Sequence, residues 1–324
     1  MPLCVVLPTH RSENFAAWLE AWQPLFSKHR IKLFVIEDHP EPSIKLPELD
    51  FPAVVYTRAD IPDFIPTATG SCRSYGLLKA YQEGFDAITL DDDCRPHGDP
   101  IAAYKDAWAS PWPVSNYFDV GHTFGLGEYM RGYPFKDRNQ AQALIQYGGW
   151  HNVPDFDAVT QQEYELGGKP IDGYKFDERV LAMPIGVGFT GCIMNVAIKH
   201  AAIPLMYQLI MGNERVGYDR WDDIWSGLFA KKICDHLRIP ILINGRASII
   251  HTRASDTATN LQKEQGGYLL NEFLWERLQS IELEGKDILS CYEELASLMP
   301  ATWFGEKGDK IIRGMFAWID SLQQ

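Results

Sequence analysis

Ala87-Ile88-Thr89-Leu90-Asp91-Asp92-Asp93-Cys94 is the stretch whose reading decides the fold. An apolar, β-branched run of strand character ends in three consecutive carboxylates. In an extended segment alternate side chains share a face, so Asp91 and Asp93 are expected to point together and Asp92 the other way. Two hard oxygen ligands at the carboxyl end of a buried strand suit Mg2+ or Mn2+, with the remaining positions open to water and phosphate oxygens. The plain alternative is an acidic loop, or a helix start where negative charge is favoured.

Upstream of this stretch, Leu3 to Leu7 is a short apolar run expected to be a strand buried on both faces, broken by Pro8-Thr9-His10-Arg11. Ser12 or Asn14 is the expected cap of a helix over about residues 14–28, with Phe15, Trp18, Leu19, Trp22 and Leu25 at helical spacing. Ile31 to Ile36 is a second strand ending at Glu37-Asp38, Ala53 to Tyr56 a third, and Ser71 to Tyr81 a helix leading to the acidic strand. Strand, helix, strand, strand, helix, strand is the order of an open, mostly parallel α/β sheet flanked by helices. Ligands of such sheets bind outside the carboxyl ends of the strands. Thr9, Asp38 and Asp91–Asp93 all fall there.

Downstream, residues 95–185 read as irregular, with aromatic and glycine-rich pieces such as Gly148-Gly149-Trp150. Gly191 to Ala197 reads as strand. Trp221, Ile224, Trp225, Leu228, Phe229 and Ile233 fall on one helical face, with Asp222 and Asp223 in its first turn. Two short strands, Ile241 to Ile243 and Ala247 to Ile250, are expected around a turn at Asn244-Gly245. The second closes at His251. From about residue 258 onward the chain reads as helical. The division expected is a sheet domain over 1–257 and a helical C-terminal extension over 258–324 packed on it.

Composition narrows the function classes. The 324 residues are 46% hydrophobic and 12% aromatic, ample for a folded core. A formal net charge of −13 opposes sequence-independent nucleic-acid binding, while leaving room for a local basic pocket. Six scattered cysteines without a C-x-x-C pair read as reduced thiols. The N-terminus lacks a basic leader, and no run of about 18 apolar residues suggests a membrane span. Together these point to a cytoplasmic protein.

Five segments in order resemble the reversibly glycosylated polypeptides, the UDP-arabinopyranose mutase family. They are Thr89-Leu90-Asp91-Asp92-Asp93-Cys94; Arg131-Gly132-Tyr133-Pro134-Phe135 continuing to Arg138; Trp150-His151-Asn152-Val153-Pro154-Asp155-Phe156-Asp157-Ala158; Asp222-Asp223-Ile224-Trp225-Ser226-Gly227 with Ile233 to Leu237; and His251-Thr252-Arg253-Ala254-Ser255. The order is collinear from Pro8 to about residue 270. The resemblance implies a GT-A-like fold and a UDP-sugar, UDP-arabinose first, held with Mn2+ or Mg2+. Asp91 and Asp93 would hold the metal with His251 as a further ligand; the alternative for His251 is a bond to a nearby backbone carbonyl. Thr9 and Asp38 would bond uracil or ribose, with Arg11, Arg73, Asp92 and Trp150 as further contacts. Trp150 and Trp225 are candidate walls for the sugar, with core packing the equal alternative for each.

The resemblance also makes Arg131 the arginine that becomes glycosylated and Arg138 a second functional arginine. A protonated guanidinium has no free lone pair, so a carboxylate must take a proton as the C–N bond forms, which nominates Asp222, Asp223 or Asp157. Alternatively both arginines only clamp phosphate. Three functions remain open: a metal-dependent mutase of UDP-pentose ring forms, a GT-A glycosyltransferase with a separate acceptor, and a self-glycosylated carrier or scaffold. A homo-oligomer is compatible with each.

Overall fold

The computed structural model describes residues 1–118, 128–211, 219–252 and 256–324. Arg253-Ala254-Ser255 of the last motif lies outside them. The first half follows the expected order: β1 (Leu3–Pro8), α1 (Ser12–His29), β2 (Lys32–Glu37), β3 (Ala53–Thr57), α2 (Arg73–Gln82) and β4 (Asp86–Leu90). Neither Ser12 nor Asn14 caps α1. Arg11 occupies the cap position without a side-chain cap bond, since a guanidinium has no acceptor to offer the first N–H groups of the helix.

The stretch that reads as irregular holds regular elements: β5 (Cys94–Pro96), α3 (Pro100–Trp108), β6 (Pro111–Pro113), β7 (Gln140–Gln142), β8 (Ile145–Asn152), α4 (Ala158–Leu166) and β9 (Val180–Ala182). Gly148 and Gly149 disguise β8 as loop, since glycine weakens a strand and often marks close backbone approach. A Cβ at Gly148 would lie 2.7 Å from the Ala247 carbonyl oxygen and would also meet Asn195 and Tyr104. Then come β10 (Asn195–Ile198), shorter than expected, α5 (Asp222–His236) and β11 (Ile241–His251). β11 is one strand where the sequence suggested two. Asn244 stays paired with Gly148 of β8, and the register shifts between Asn244 and Ile249. The buried Asn244 amide donates to Gln146 Oε1 at 2.8 Å, so the turn-like dipeptide is absorbed as an irregularity within the strand.

The nine-stranded sheet runs β3-β2-β1-β4-β10-β8-β11-β5, with β9 also on β11. β1, β2, β3, β4, β8 and β11 point one way and β5, β9 and β10 the other. This is the open, mostly parallel arrangement expected, flanked by helices. On one face α1 and α3 pack through Trp18, Trp22, Phe26 and Tyr104. The Trp22 indole N–H also donates to the Cys94 carbonyl at 3.0 Å. The other face carries α2, α5 and the C-terminal helices α7 (Tyr268–Gln279), α8 (Ile288–Leu298) and α9 (Gly308–Leu322), while α6 (Thr257–Glu264) packs on α4. The helical reading of the C-terminus fails at Ser280–Asp287, where the backbone leaves the helix between α7 and α8. Among the described residues no helix is long and apolar enough to cross a membrane.

Candidate active site

The carboxyl ends of β1, β2 and β4 open on one cleft of about 410 Å³, lined by Thr9, Arg11, Asp38, Arg73, Asp91, Asp92 and Asp93 among others. β4 stops at Leu90, and Asp91 to Cys94 form a turn in which the Cys94 N–H donates to the Asp91 carbonyl at 3.1 Å. Strand alternation therefore does not set the three carboxylates; each is set by its own partner. Asp92 is buried and accepts from the Thr9 hydroxyl at 2.5 Å and from Arg11 Nε at 2.9 Å, with the second arm of the Arg11 fork on its other oxygen. Thr9, Arg11 and Asp92, expected to touch ligand, thus spend these groups bracing the acidic turn. Asp91 accepts from Arg73 Nη2 at 2.5 Å.

Asp93 differs. Its Oδ1 is buried without a hydrogen-bond partner among the described residues and faces His251 Nε2 at 3.6 Å. The other imidazole nitrogen, Nδ1, lies 2.9 Å from the Val153 carbonyl. The backbone-carbonyl bond expected as the alternative for His251 is therefore present, on the nitrogen turned away from Asp93. With Nδ1–H donated to that carbonyl, Nε2 presents its lone pair toward Asp93. Burial, and then the charge of Asp91, push the Asp93 carboxyl up to about 6. An orphaned carboxylate oxygen beside an imidazole lone pair is a donor set that fits Mn2+ or Mg2+. Among the described residues no three His, Cys, Asp or Glu side chains converge on one point. Water and a ligand's phosphates would supply the other positions.

Asp38, at the end of β2, accepts from the Ala68 N–H through Oδ2, while its buried Oδ1 has no partner among the described residues. Burial raises its pKa and the Ala68 N–H opposes this. The free oxygen is an acceptor for a hydroxyl or imide N–H.

The amino end of α5 adds a second acidic group. Ser71 donates its hydroxyl proton to Asp222. Asp223 accepts from the Ile193 N–H at 3.2 Å and the Ile224 N–H at 2.9 Å. Burial, followed by the charges of Asp222 and Asp155, pushes the Asp223 carboxyl up to about 8, so it carries a proton at neutral pH. The buried Arg73 links the two groups. It donates to Asp91, to the Gly70 carbonyl at 3.0 Å and to the Ile193 carbonyl at 3.3 Å, and its charge is felt at Asp223.

The cleft lining does not include Asp222, Asp223 or His251, nor Arg131, Arg138, Asp157, Trp150 and Trp225. Arg131 is exposed. Arg138 lies over the Phe135 ring at 3.9 Å and the Tyr129 ring at 4.8 Å and donates to the Tyr133 carbonyl at 3.2 Å, so its fork is held by aromatic faces. Asp157 caps α4, accepting from the Val159 and Thr160 N–H groups at 3.0 Å and the Thr160 hydroxyl at 2.7 Å. An exposed carboxylate filled in this way is a cap in place of the expected base. Trp150 packs on Tyr174 and Phe176 at 5.5 and 5.3 Å between ring centres, and Trp225 is fully buried. Both tryptophans are packing residues in place of sugar walls. Sequence reasoning missed His10, His39, Arg58 and Ser71. The first three line the cleft, and Arg58 directly follows β3, so the rule that singled out Thr9 and Asp38 applies to it equally. Ser71 had no signal beyond its place beside Cys72-Arg73.

An open α/β sheet with one cleft of interleaved carboxylates and guanidinium groups at its carboxyl ends defines an α/β protein built to hold a small polar ligand. The chain belongs to the reversibly glycosylated polypeptide family, whose profile matches residues 2–324. It is 31% identical over 351 residues to UDP-arabinopyranose mutase 3 of Arabidopsis thaliana, covering 99% of this chain and 91% of that protein. It is 30% identical over 346 residues to UDP-arabinopyranose mutase 1 of Oryza sativa subsp. japonica, covering 98% and 90%. Among solved structures, S. aureus TarS 1–349 aligns at 12% identity and a TM-score of 0.35, covering 100% of this chain and 89% of that one.

Proposed function

We propose that the protein is a UDP-sugar mutase that interconverts the pyranose and furanose forms of UDP-arabinose or a similar UDP-pentose. The observation that carries this reading is the link, through Arg73 and Ile193, between the acidic turn at Asp91–Asp93 and the Asp222–Asp223 pair at the amino end of α5. Membership of the family and the names of its relatives support it. Asp93 and His251 would hold a divalent cation, Mn2+ or Mg2+, which when bound neutralises charge on the diphosphate. Arg11 and Arg73 keep the acidic turn in shape for it, and Asp38 offers its free oxygen to the nucleoside.

The isomerisation conserves atoms. The bond from C1 to the phosphate oxygen breaks and UDP departs with the electron pair. The C1–O5 ring bond opens, O4 closes on C1, and UDP returns. One proton moves from O4 to O5 overall. A protonated Asp223 gives a proton to O5 and takes one back from O4. Arg131, exposed and outside the cleft lining, is the group we propose holds the sugar while UDP is away. Its nitrogen bonds C1 as the C1–phosphate bond breaks and releases one proton to a carboxylate; when UDP returns to C1, the C1–N bond breaks and the nitrogen takes that proton back. Free, mostly buried thiols support a reducing, cytoplasmic setting.

The test is incubation of the protein with UDP-arabinopyranose and Mn2+, without acceptor, followed by chromatography. The expected product is UDP-arabinofuranose. Free UDP with sugar appearing only on an added acceptor would replace the mutase by a transferase. Intact-mass spectrometry is expected to show one added pentose on wild type and none on Arg131→Lys, which should bind UDP normally yet fail to turn over at saturation.

A further inference from the structure

β8 ends at Asn152 in a left-handed conformation, with φ 74°. Asparagine is one of the few residues with a side chain that tolerates it, because its short amide bonds locally. Every polar group of Asn152 is committed. Its backbone N–H donates to the Tyr174 carbonyl at 2.8 Å, its carbonyl accepts from the Tyr174 N–H at 3.0 Å, and Oδ1 accepts from the Gly173 N–H at 3.3 Å. Tyr174 in turn packs on Trp150, two residues back along β8. The remaining group, the Nδ2 amide, donates to the His251 carbonyl at 2.9 Å. The parallel ladder of β8 and β11 stops at this Asn152–His251 pair. Beyond it, Val153 clasps the same histidine twice. Its N–H donates to the His251 carbonyl at 3.3 Å, and its own carbonyl lies 2.9 Å from Nδ1 of the ring.

We propose that Asn152 is a positioning residue for the cation site: its left-handed turn, locked by Gly173 and Tyr174, aims the Val153 carbonyl at His251 Nδ1 and so keeps the Nε2 lone pair toward Asp93. The proposal rests on the reading of Asp93 and His251 as the pair that holds the metal. A neutral imidazole carries one ring proton, and a carbonyl only accepts, so that proton sits on Nδ1. Nε2 and Asp93 Oδ1, 3.6 Å apart, are then two acceptors face to face. A cation satisfies both. If the Val153 carbonyl swung away, the ring proton would pass to Nε2 and be donated to Asp93, and the pair would close against metal. Asn152→Gly keeps the turn and loses both amide contacts. Asn152→Asp keeps an acceptor for Gly173 and sets a second one against the His251 carbonyl.

The test is the tautomer of His251, read from two-bond 1H–15N couplings in histidine-labelled, metal-free full-length protein at pH 8.5, with His251 assigned by its loss in His251→Gln. Wild type is expected in the Nδ1–H form. Asn152→Asp and Asn152→Gly should both shift it toward Nε2–H. Mn2+ affinity, measured in the presence of UDP by electron paramagnetic resonance, should fall about tenfold to a hundredfold in each. A merely structural role for Asn152 would lower stability and leave the tautomer unchanged. His251 in the Nε2–H form in wild type, or in the Nδ1–H form in the variants, would overturn the proposal whatever their Mn2+ affinity. If Asn152→Asp fails to fold, Asn152→Gly decides, since glycine takes φ 74° without steric cost. A tautomer that shifts as expected in a protein whose wild type binds no Mn2+ would uphold the clamp by Asn152 and reject the metal reading.

Discussion

Asp91, Asp92 and Asp93 are adjacent in sequence and have three different fates. Asp92 is neutralised by Thr9 and Arg11, Asp91 is held by Arg73, and only Asp93 keeps an unpaired buried oxygen. Asp93→Asn is therefore expected to abolish the Mn2+-dependent part of UDP affinity in calorimetric titration. In wild type that part should fade as pH falls through about 6, where Asp93 takes up its proton. Undiminished Mn2+-dependent affinity in the variant would remove Asp93 from the metal site. Asp223 gives the opposite handle, on stability. Its folded-state pKa lies above that of the unfolded chain, so between pH 4 and about 8 the folded protein retains a proton the unfolded one has lost. Stability must fall as pH rises across this window, by at most about 1.4 kcal/mol per pH unit from this group. Urea unfolding at pH 6.5 and pH 8 should show that loss in wild type and a flatter dependence in Asp223→Asn. Equal slopes would mean that Asp223 ionises normally.

At the scale of elements, β8 shows how a strand escapes its own propensities. Its Gly148-Gly149 pair looks like a turn, yet both positions sit where a side chain would strike a neighbour. Gly148→Ala is expected to cost about 1–3 kcal/mol in chemical denaturation, because the added methyl meets backbone at Ala247 as well as side chains. A neutral substitution would show that β8 can move away from β11. In α5, the helix is legible from its apolar spacing, but its acidic first turn is ambiguous between dipole complement and chemistry. Only the burial of Asp223, and its nearness to Asp155 and Arg73 from other elements, separates the two.

For the whole molecule, the C-terminal helices are part of the core, with Trp318 of α9 fully buried and its indole N–H donating to the Pro204 carbonyl at 2.9 Å. We expect a chain ending at residue 257 to lose cooperative unfolding by circular dichroism, because removing these helices uncovers Trp225, Phe229 and their neighbours. A truncated chain that melts cooperatively would make 258–324 a separable extension. The sequence by itself determined the first six elements, the parallel order of β1 to β4 and the carboxyl-end location of Asp38 and the acidic turn. These follow from local apolar runs, their breakers and the short connections of an α/β sheet. Tertiary structure alone decided that Arg11 braces Asp92, that His251 turns one nitrogen to Val153 and the other to Asp93, and that Asp157 is a cap. It also decided that Asp155 and Glu264 reach the amino end of α5 from distant points in the chain. The physical reason is that a side chain's ionisation and free lone pairs depend on what packs around it, and those neighbours come from segments tens to hundreds of residues away.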